Sequence, residues 1–124
     1  MAKKIMVIDD SKTVRASVRY ALARHGYEVI MAEDGQEGLD ILKEQSREKP
    51  GMIITDVNMP RMDGITFIKE VKKEKQFKFI PILVLTTESQ EEMKLKGKEA
   101  GAAGWLVKPF KPEQLISVAR KFIK

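Results

Sequence analysis

The chain has 124 residues, of which 43% are hydrophobic and 33% charged, and this mixed composition excludes a disordered, collagen-like or solenoid protein. It contains no cysteine, which excludes disulfides, thiolate zinc sites, iron–sulfur clusters and cysteine nucleophiles. The net charge of +5 arises after Met62, where lysines alternate with acids, so we expect a solvated surface rather than a nucleic-acid-binding site. The N-terminal residues lack the long apolar run of a signal peptide, and we expect a cytoplasmic protein.

The first part of the chain alternates between short apolar runs and segments with helical spacing. Residues 5–8 predict a strand that is buried on both faces, and Ser11 is placed to cap a helix that ends at Gly26. The more mixed residues 27–31 predict an edge strand. Asp34 then begins a capping box, which predicts the start of a second helix.

The same alternation continues to the end of the chain. Further buried strands are predicted at residues 52–54, 80–85 and 105–107. Further helices are predicted to begin at Asp63, at Thr87 or Glu88, and at Pro112.

Strands that alternate with helices in this way predict an α/β fold. We expect a doubly wound, five-stranded parallel sheet in the order 2-1-3-4-5, the flavodoxin-like arrangement, with ligands bound at the carboxyl ends of the strands. Asp9 and Asp10 follow the first strand and Asp56 follows the third, so their carboxylates should converge. Such a cluster requires a raised pKa or a bound cation, and an all-oxygen donor set favours Mg²⁺.

Two further polar residues follow the last two strands. Thr86 supplies a hydroxyl group and Lys108 a positive charge, and together with the carboxylates they suit a phosphoryl group. Each residue also has a purely structural explanation, because Asp10 and Thr86 can cap helices and Lys108 can be a solvated surface lysine. Their coincidence at one edge of the sheet favours a binding site.

Four segments of the sequence together resemble the response regulator receiver domain: Asp9-Asp10-Ser11, Asp56-Val57-Asn58-Met59-Pro60-Arg61-Met62-Asp63-Gly64, Thr86-Thr87-Glu88 and Gly104-Trp105-Leu106-Val107-Lys108-Pro109-Phe110. The resemblance covers the whole chain and extends to the single-domain chemotaxis regulators of the CheY type. It implies one receiver domain over residues 1–124 without an output domain. It also implies that the protein is a response regulator of a two-component system.

The resemblance assigns a role to each acidic residue. Asp56 would accept a phosphoryl group from a phosphohistidine on a sensor histidine kinase of the CheA type. Asp10 and Asp56 would ligate Mg²⁺ together with the backbone carbonyl of Asn58, and Asp9 would act mainly through a metal-bound water. Lys108 would pair with the phosphate, and its peptide bond to Pro109 would be cis.

The resemblance also implies a conformational switch. Thr86 would hydrogen-bond to the phosphate, and its movement would allow Trp105 on the fifth strand to rotate. The rotation would reshape the face formed by the fourth helix, the fifth strand and the fifth helix, where a downstream protein would bind. Gly97 in the fourth helix suits either a helix that shifts or close packing.

Other functions remain open at this stage. Gln90, Glu91 and Glu92 stand where regulators that bind the flagellar switch usually carry lysines, so a phosphate sink or a phosphorelay shuttle is the alternative to a chemotaxis role. A flavodoxin-like cofactor carrier is disfavoured because Asp9 and Asp10 would repel a flavin phosphate. A phosphatase of the aspartyl-phosphate class usually has an aspartate where this chain has Asn58, so we expect slow self-dephosphorylation and no enzymatic turnover. We expect a monomer that binds neither nucleic acid nor membranes.

Overall fold

Five parallel strands form a single sheet in the computed structural model, which describes residues 3–57, 59, 61–87 and 91–123. The strands are β1 (Lys3–Ile8), β2 (Tyr27–Ala32), β3 (Met52–Asp56), β4 (Ile82–Thr86) and β5 (Gly104–Val107). They are arranged in the order β2-β1-β3-β4-β5, which confirms the predicted topology. The fourth strand starts at Ile82, two residues later than expected, because Ile80 closes a turn onto Phe77 and Pro81 has no N–H to donate.

Helices connect the strands on both faces of the sheet. They are α1 (Lys12–Ala23), α2 (Gly35–Glu44), α3 (Gly64–Lys73), α4 (Glu91–Ala100) and α5 (Pro112–Phe122), with a short 3-10 helix at Ser46–Glu48. None of the helices in the described part of the chain is long and apolar enough to cross a membrane.

Three side chains cap the first three helices as the sequence predicts. The Ser11 hydroxyl accepts a hydrogen bond from the Val14 N–H at 3.2 Å, and Asp34 accepts one from the Glu37 N–H at 2.9 Å. Asp63 caps α3 in the same way. The helix α4 does not begin at Thr87 as one prediction had it, and the alternative start, Glu88, lies outside the described residues.

The sheet separates two hydrophobic layers. Phe67, Ile68 and Leu42 pack on the side of α2 and α3, whereas Leu22 and Leu115 pack on the side of α1 and α5. Every residue of β3 and β4 is buried, as expected for central strands of a parallel sheet. Burial of each large apolar side chain contributes about 1.5–3 kcal/mol to the free energy of folding. The central strands are therefore stably packed, and they support the residues that follow them.

Candidate functional site

Three carboxylates meet at the carboxyl ends of β1 and β3. One oxygen from each of Asp9, Asp10 and Asp56 lies within 4.8 Å of the others. Asp9 and Asp56 are only 2% and 9% exposed, while Asp10 is exposed. The parallel register brings Asp9 and Asp56 together, since Ile8 pairs with Thr55 and these two acids come next along the chain. Asp10 follows Asp9 directly.

Asp9 is held by hydrogen bonds through both its carboxylate and its backbone. Its Oδ1 atom accepts a hydrogen bond from the Ser11 N–H at 2.9 Å, and its Oδ2 atom accepts one from the Lys108 ammonium at 2.9 Å. Its backbone carbonyl accepts a hydrogen bond from Arg15 at 2.6 Å, and its N–H donates to Ala32 at the end of β2. The carboxylate is therefore fixed in one orientation.

The two carboxylate oxygens of Asp56 differ in their contacts: one accepts a hydrogen bond from the backbone, and the other lies near a lysine. The Val57 N–H donates to Oδ1 at 2.8 Å, and Oδ2 lies 3.8 Å from the Lys108 ammonium. Burial raises the pKa of Asp56, and the charges of Asp9 and Asp10 add to this effect, while Lys108 and the Val57 N–H oppose it. Oδ2 is therefore the oxygen placed to react with or ligate an incoming group.

Lys108 bridges the two buried carboxylates from the end of β5. Its ammonium is closer to Asp9, at 2.9 Å, than to Asp56, at 3.8 Å. Its N–H donates to the carbonyl of the buried Thr86 at 2.7 Å, which places the ends of β4 and β5 side by side. The peptide bond between Lys108 and Pro109 is cis, which confirms that expectation.

The acidic cluster has the donor chemistry of a hard divalent cation site. Its side chains offer only oxygen ligands, and among the described residues its three carboxylates are faced by one lysine, Lys108. Mg²⁺ prefers such ligands and usually keeps several waters, so the residues present fit this ion. The expected carbonyl ligand, that of Asn58, lies outside the described residues.

Gly64 packs directly against the backbone of Asp56. Its N–H donates to the Val57 carbonyl at 2.9 Å, and a Cβ atom at this position would overlap the Asp56 carbonyl oxygen. In the sequence, Gly64 is distinguished only by its place after Asp63 in the segment that resembles the receiver domain. The close approach joins the end of β3 to the start of α3, and no local sequence pattern predicts it.

Arg61 forms an ion pair with Asp34 that the sequence did not predict. The Arg61 Nε and Nη2 atoms lie 2.8 Å and 2.7 Å from Asp34 Oδ2. Burial alone would raise the pKa of Asp34, but hydrogen bonds from the Glu37 N–H and from Arg61 outweigh it, and the net effect is a lowered pKa.

Trp105 on β5 lies against α4 at Gly97. A Cβ atom on Gly97 would fall 2.6 Å from Cζ3 of the indole ring, so the glycine is needed for the observed ring position. Of the two explanations considered for Gly97, the structure supports close packing.

A Gly97→Ala variant should therefore displace the indole ring of Trp105. We expect an altered emission maximum of this single tryptophan and a loss of about 1–3 kcal/mol from overpacking, partly offset by about 1 kcal/mol of helix propensity. Fluorescence and urea denaturation measure both effects. Glu99→Ala, at an exposed position of the same helix, is the control, and an unchanged emission spectrum in Gly97→Ala would contradict the packing assignment.

Comparison with known proteins places these features in a family context. The family profile described as "Response regulator receiver domain" matches residues 5–120. The chain is 40% identical over 113 residues to the chemotaxis protein CheY1 of Helicobacter pylori, with 90% of each protein covered. The crystal structure of the chemotaxis response regulator CheY4 of Vibrio cholerae superimposes with a TM-score of 0.91 at 44% identity, covering 99% of this chain and 100% of that one.

Longer proteins are similar to this chain over part of their length. The alkaline phosphatase synthesis transcriptional regulatory protein PhoP of Bacillus subtilis is 41% identical over 124 residues, which is the whole of this chain and 50% of PhoP. The chain spans about half the length, or less, of the first four curated relatives compared.

Proposed function

The chain belongs to the response regulator receiver family, and we propose that it acts as a Mg²⁺-dependent phosphoacceptor switch in a two-component system. The observation that carries this proposal is the placement of a carboxylate oxygen of Asp56 within 4.8 Å of oxygens of Asp9 and Asp10, with Asp56 Oδ2 3.8 Å from the Lys108 ammonium. Phosphoryl transfer depends mainly on positioning and on neutralisation of charge, and these groups supply both.

The reaction starts at the Oδ2 atom of the Asp56 carboxylate. Because the Val57 N–H occupies Oδ1, Oδ2 is the nucleophile that forms the new bond to phosphorus. The phosphorus–nitrogen bond of a phosphohistidine donor breaks as this bond forms, and its electron pair passes to the donor's imidazole nitrogen. Asp10 and Asp56 would hold Mg²⁺, which when bound neutralises negative charge on the carboxylates and the phosphoryl oxygens.

Lys108 can serve both the resting and the phosphorylated states. In the resting state its ammonium is hydrogen-bonded to Asp9 and lies 3.8 Å from Asp56 Oδ2. A phosphoryl group on Oδ2 would bring new anionic oxygens within reach of the same ammonium. Thr86, on the neighbouring strand end, is the proposed hydroxyl partner of the phosphoryl group, and Trp105 the proposed reporter of its movement.

A Lys108→Met variant should bind Mg²⁺ about tenfold more tightly than the wild type, because the substitution removes the cation that competes for Asp9 and Asp56. The metal-free variant should also be less stable by about 3 kcal/mol, since two buried carboxylates lose their shared counterion. Calorimetric titration with Mg²⁺ and urea denaturation in EDTA measure the two effects.

Lys111→Met is the matched control, because Lys111 is exposed and lies three residues further along the chain. It should leave both quantities unchanged. Weaker Mg²⁺ binding in Lys108→Met would contradict the proposed competition between the lysine and the metal.

The phosphoacceptor assignment is tested by incubation with acetyl phosphate in Mg²⁺ or in EDTA. We expect one phosphoryl group per chain in the presence of Mg²⁺ and none in EDTA, measured by intact mass. Slow loss of the group without another protein would support a switch that dephosphorylates itself rather than an enzyme. Equal modification in both conditions would refute the metal requirement.

We further propose that the switch operates in chemotaxis, with a CheA-type histidine kinase as phosphodonor and a protein target at the face formed by α4, β5 and α5. The similarity to chemotaxis proteins CheY1 and CheY4 supports this assignment. Glu91 and Glu92 at the start of α4 favour the second candidate, a phosphate sink or phosphorelay shuttle. Binding of the beryllofluoride-activated protein to flagellar switch components would support the first role, and phosphoryl return to a histidine domain would support the second.

A further inference from the structure

The loop that follows Asp56 is attached to the rest of the domain at two places. At its base, the Gly64 N–H donates to the Val57 carbonyl and closes the loop beneath Asp56. At its far side, the Gly35 N–H at the start of α2 donates to the Met62 carbonyl at 3.3 Å. Of the described residues that follow Asp56, Val57 and Gly64 thus contact each other beside the phosphoacceptor strand, and Met62 contacts the N-terminus of α2.

Arg61 makes the charged contact at this second place of attachment. Its Nε atom donates a hydrogen bond to Asp34 Oδ2, and its Nη2 atom lies 2.7 Å from the same oxygen, while Asp34 Oδ1 caps α2 through the Glu37 N–H. Arg61 has a φ of 62°, a left-handed conformation that costs a residue with a Cβ atom about 1 kcal/mol or more. The backbone therefore bends into a strained conformation at the residue whose side chain reaches Asp34.

Asp34 is itself fixed relative to the acidic cluster. It lies two residues beyond Ala32, whose carbonyl accepts the Asp9 N–H at 3.2 Å. Arg61 is thus connected to Asp9 by its ion pair with Asp34, by the short stretch of chain from Asp34 back to Ala32, and by the Asp9–Ala32 hydrogen bond. On the other side, Arg61 is connected to Asp56 by the chain from Arg61 to Gly64, whose N–H donates to the Val57 carbonyl.

We propose that Arg61 is a positioning residue whose ion pair with Asp34 holds the segment from Arg61 to Gly64 in place and thereby sets the affinity of the acidic cluster for Mg²⁺ and the rate at which Asp56 is phosphorylated. The proposal rests on the function proposed above. The Arg61 side chain is 60% exposed, whereas that of Asp34 is 5% exposed. When Arg61 is removed, the buried Asp34 carboxylate keeps its hydrogen bond from the Glu37 N–H, so the cap of α2 stays and the segment that carries Arg61 loses its charged contact.

Arg61→Gly separates the side chain from the backbone conformation. Glycine adopts a φ of 62° without strain, so the variant keeps the turn and removes only the ion pair. We expect Mg²⁺ binding about tenfold weaker than in the wild type, similarly slower phosphorylation by acetyl phosphate, and a lower melting temperature in the metal-free protein, because the buried Asp34 loses its cation. Hydrogen exchange of the Gly64 amide in metal-free protein should be faster.

Two further variants keep the proposal testable if Arg61→Gly fails to fold. Arg61→Lys keeps the charge but loses the two-pronged contact, and it should lie between the wild type and Arg61→Gly. Asp34→Asn keeps an oxygen that can cap α2 and should weaken Mg²⁺ binding as Arg61→Gly does. The double variant should be no weaker than either single one, because both substitutions remove the same contact.

Glu70→Gln is the control, since it breaks an exposed ion pair with Lys73 on α3 at a similar distance of 2.8 Å, and Mg²⁺ binding should not change. If the wild type binds Mg²⁺ and Arg61→Gly binds it equally well with unaltered Gly64 exchange, the positioning role is wrong and the proposed function stands. If the wild type itself shows no saturable Mg²⁺ binding, the proposed function fails and the positioning role fails with it.

Discussion

An Asp56→Asn variant should take up no phosphoryl group from acetyl phosphate and should nevertheless remain folded. The substitution removes the nucleophilic carboxylate but keeps the side-chain shape, and an amide oxygen can still accept the Val57 N–H. It also removes a buried charge that Asp9 and Asp10 repel, so the metal-free variant should be at least as stable as the wild type. Intact mass and urea denaturation in EDTA measure these effects.

Asp40→Asn is the matched control for this experiment. Asp40 is an exposed acid on α2, and its replacement should leave phosphorylation unchanged. Persistent phosphorylation of Asp56→Asn at the same rate would show that another residue accepts the phosphoryl group.

The difference in stability between Asp56→Asn and the wild type should depend on pH. Because the pKa of Asp56 is raised above its usual value of 3.8, the folded state holds the proton more tightly than the unfolded chain does. The protonated side chain contributes stability below pH 3.8, and this contribution is lost as the pH rises through the raised pKa. As the pH rises from 3.8 through the raised pKa of Asp56, the stability of the wild type should fall relative to that of Asp56→Asn. A stability difference that stays constant over this pH range would contradict the raised pKa.

A Gly64→Ala variant should be strongly destabilised and poorly phosphorylated. The added methyl group would overlap the Asp56 carbonyl oxygen, so either α3 or the end of β3 must move. Overpacking against backbone costs about 3 kcal/mol, and the displacement acts directly on the phosphoacceptor. Urea denaturation and the rate of phosphorylation by acetyl phosphate measure the two consequences.

Gly51→Ala is the control for Gly64→Ala. A Cβ atom on Gly51 would meet only Ile123 atoms at 3.6 Å or more, which is ordinary contact. The control should therefore fold and react like the wild type. Wild-type stability in Gly64→Ala would contradict the close approach between Gly64 and Asp56.

The sequence was sufficient to predict the features that depend on local pattern and strand order. Apolar runs and capping residues located the strands and most helix starts, and the strand order then placed Asp9, Asp56 and Lys108 at one edge of the sheet. The apolar run at residues 80–85 predicts a fourth strand from Ile80, but the strand begins at Ile82. The apolar pattern does not show that Pro81 lacks the N–H that the sheet requires.

The contacts that the sequence did not reveal all join distant positions through geometry. Arg61 and Asp34 are separated by 27 residues, and their pairing depends on the left-handed backbone of Arg61. The approach of Gly64 to Asp56 depends on how α3 leaves its loop, and Gly97 faces Trp105 only because α4 packs on β5. Pattern and propensity describe single segments and contain no information on such distances.

The most direct test of the proposed switch is an amide and indole NMR titration of the wild-type protein, first with Mg²⁺ and then with beryllofluoride as a phosphoryl mimic. Mg²⁺ should cause saturable shifts at Asp9, Asp10, Asp56 and Val57. Beryllofluoride should then shift the same signals further and extend the changes to Thr86 and the Trp105 indole. The absence of saturable Mg²⁺ shifts at the three aspartates, or beryllofluoride shifts that do not involve Asp56, would contradict the account.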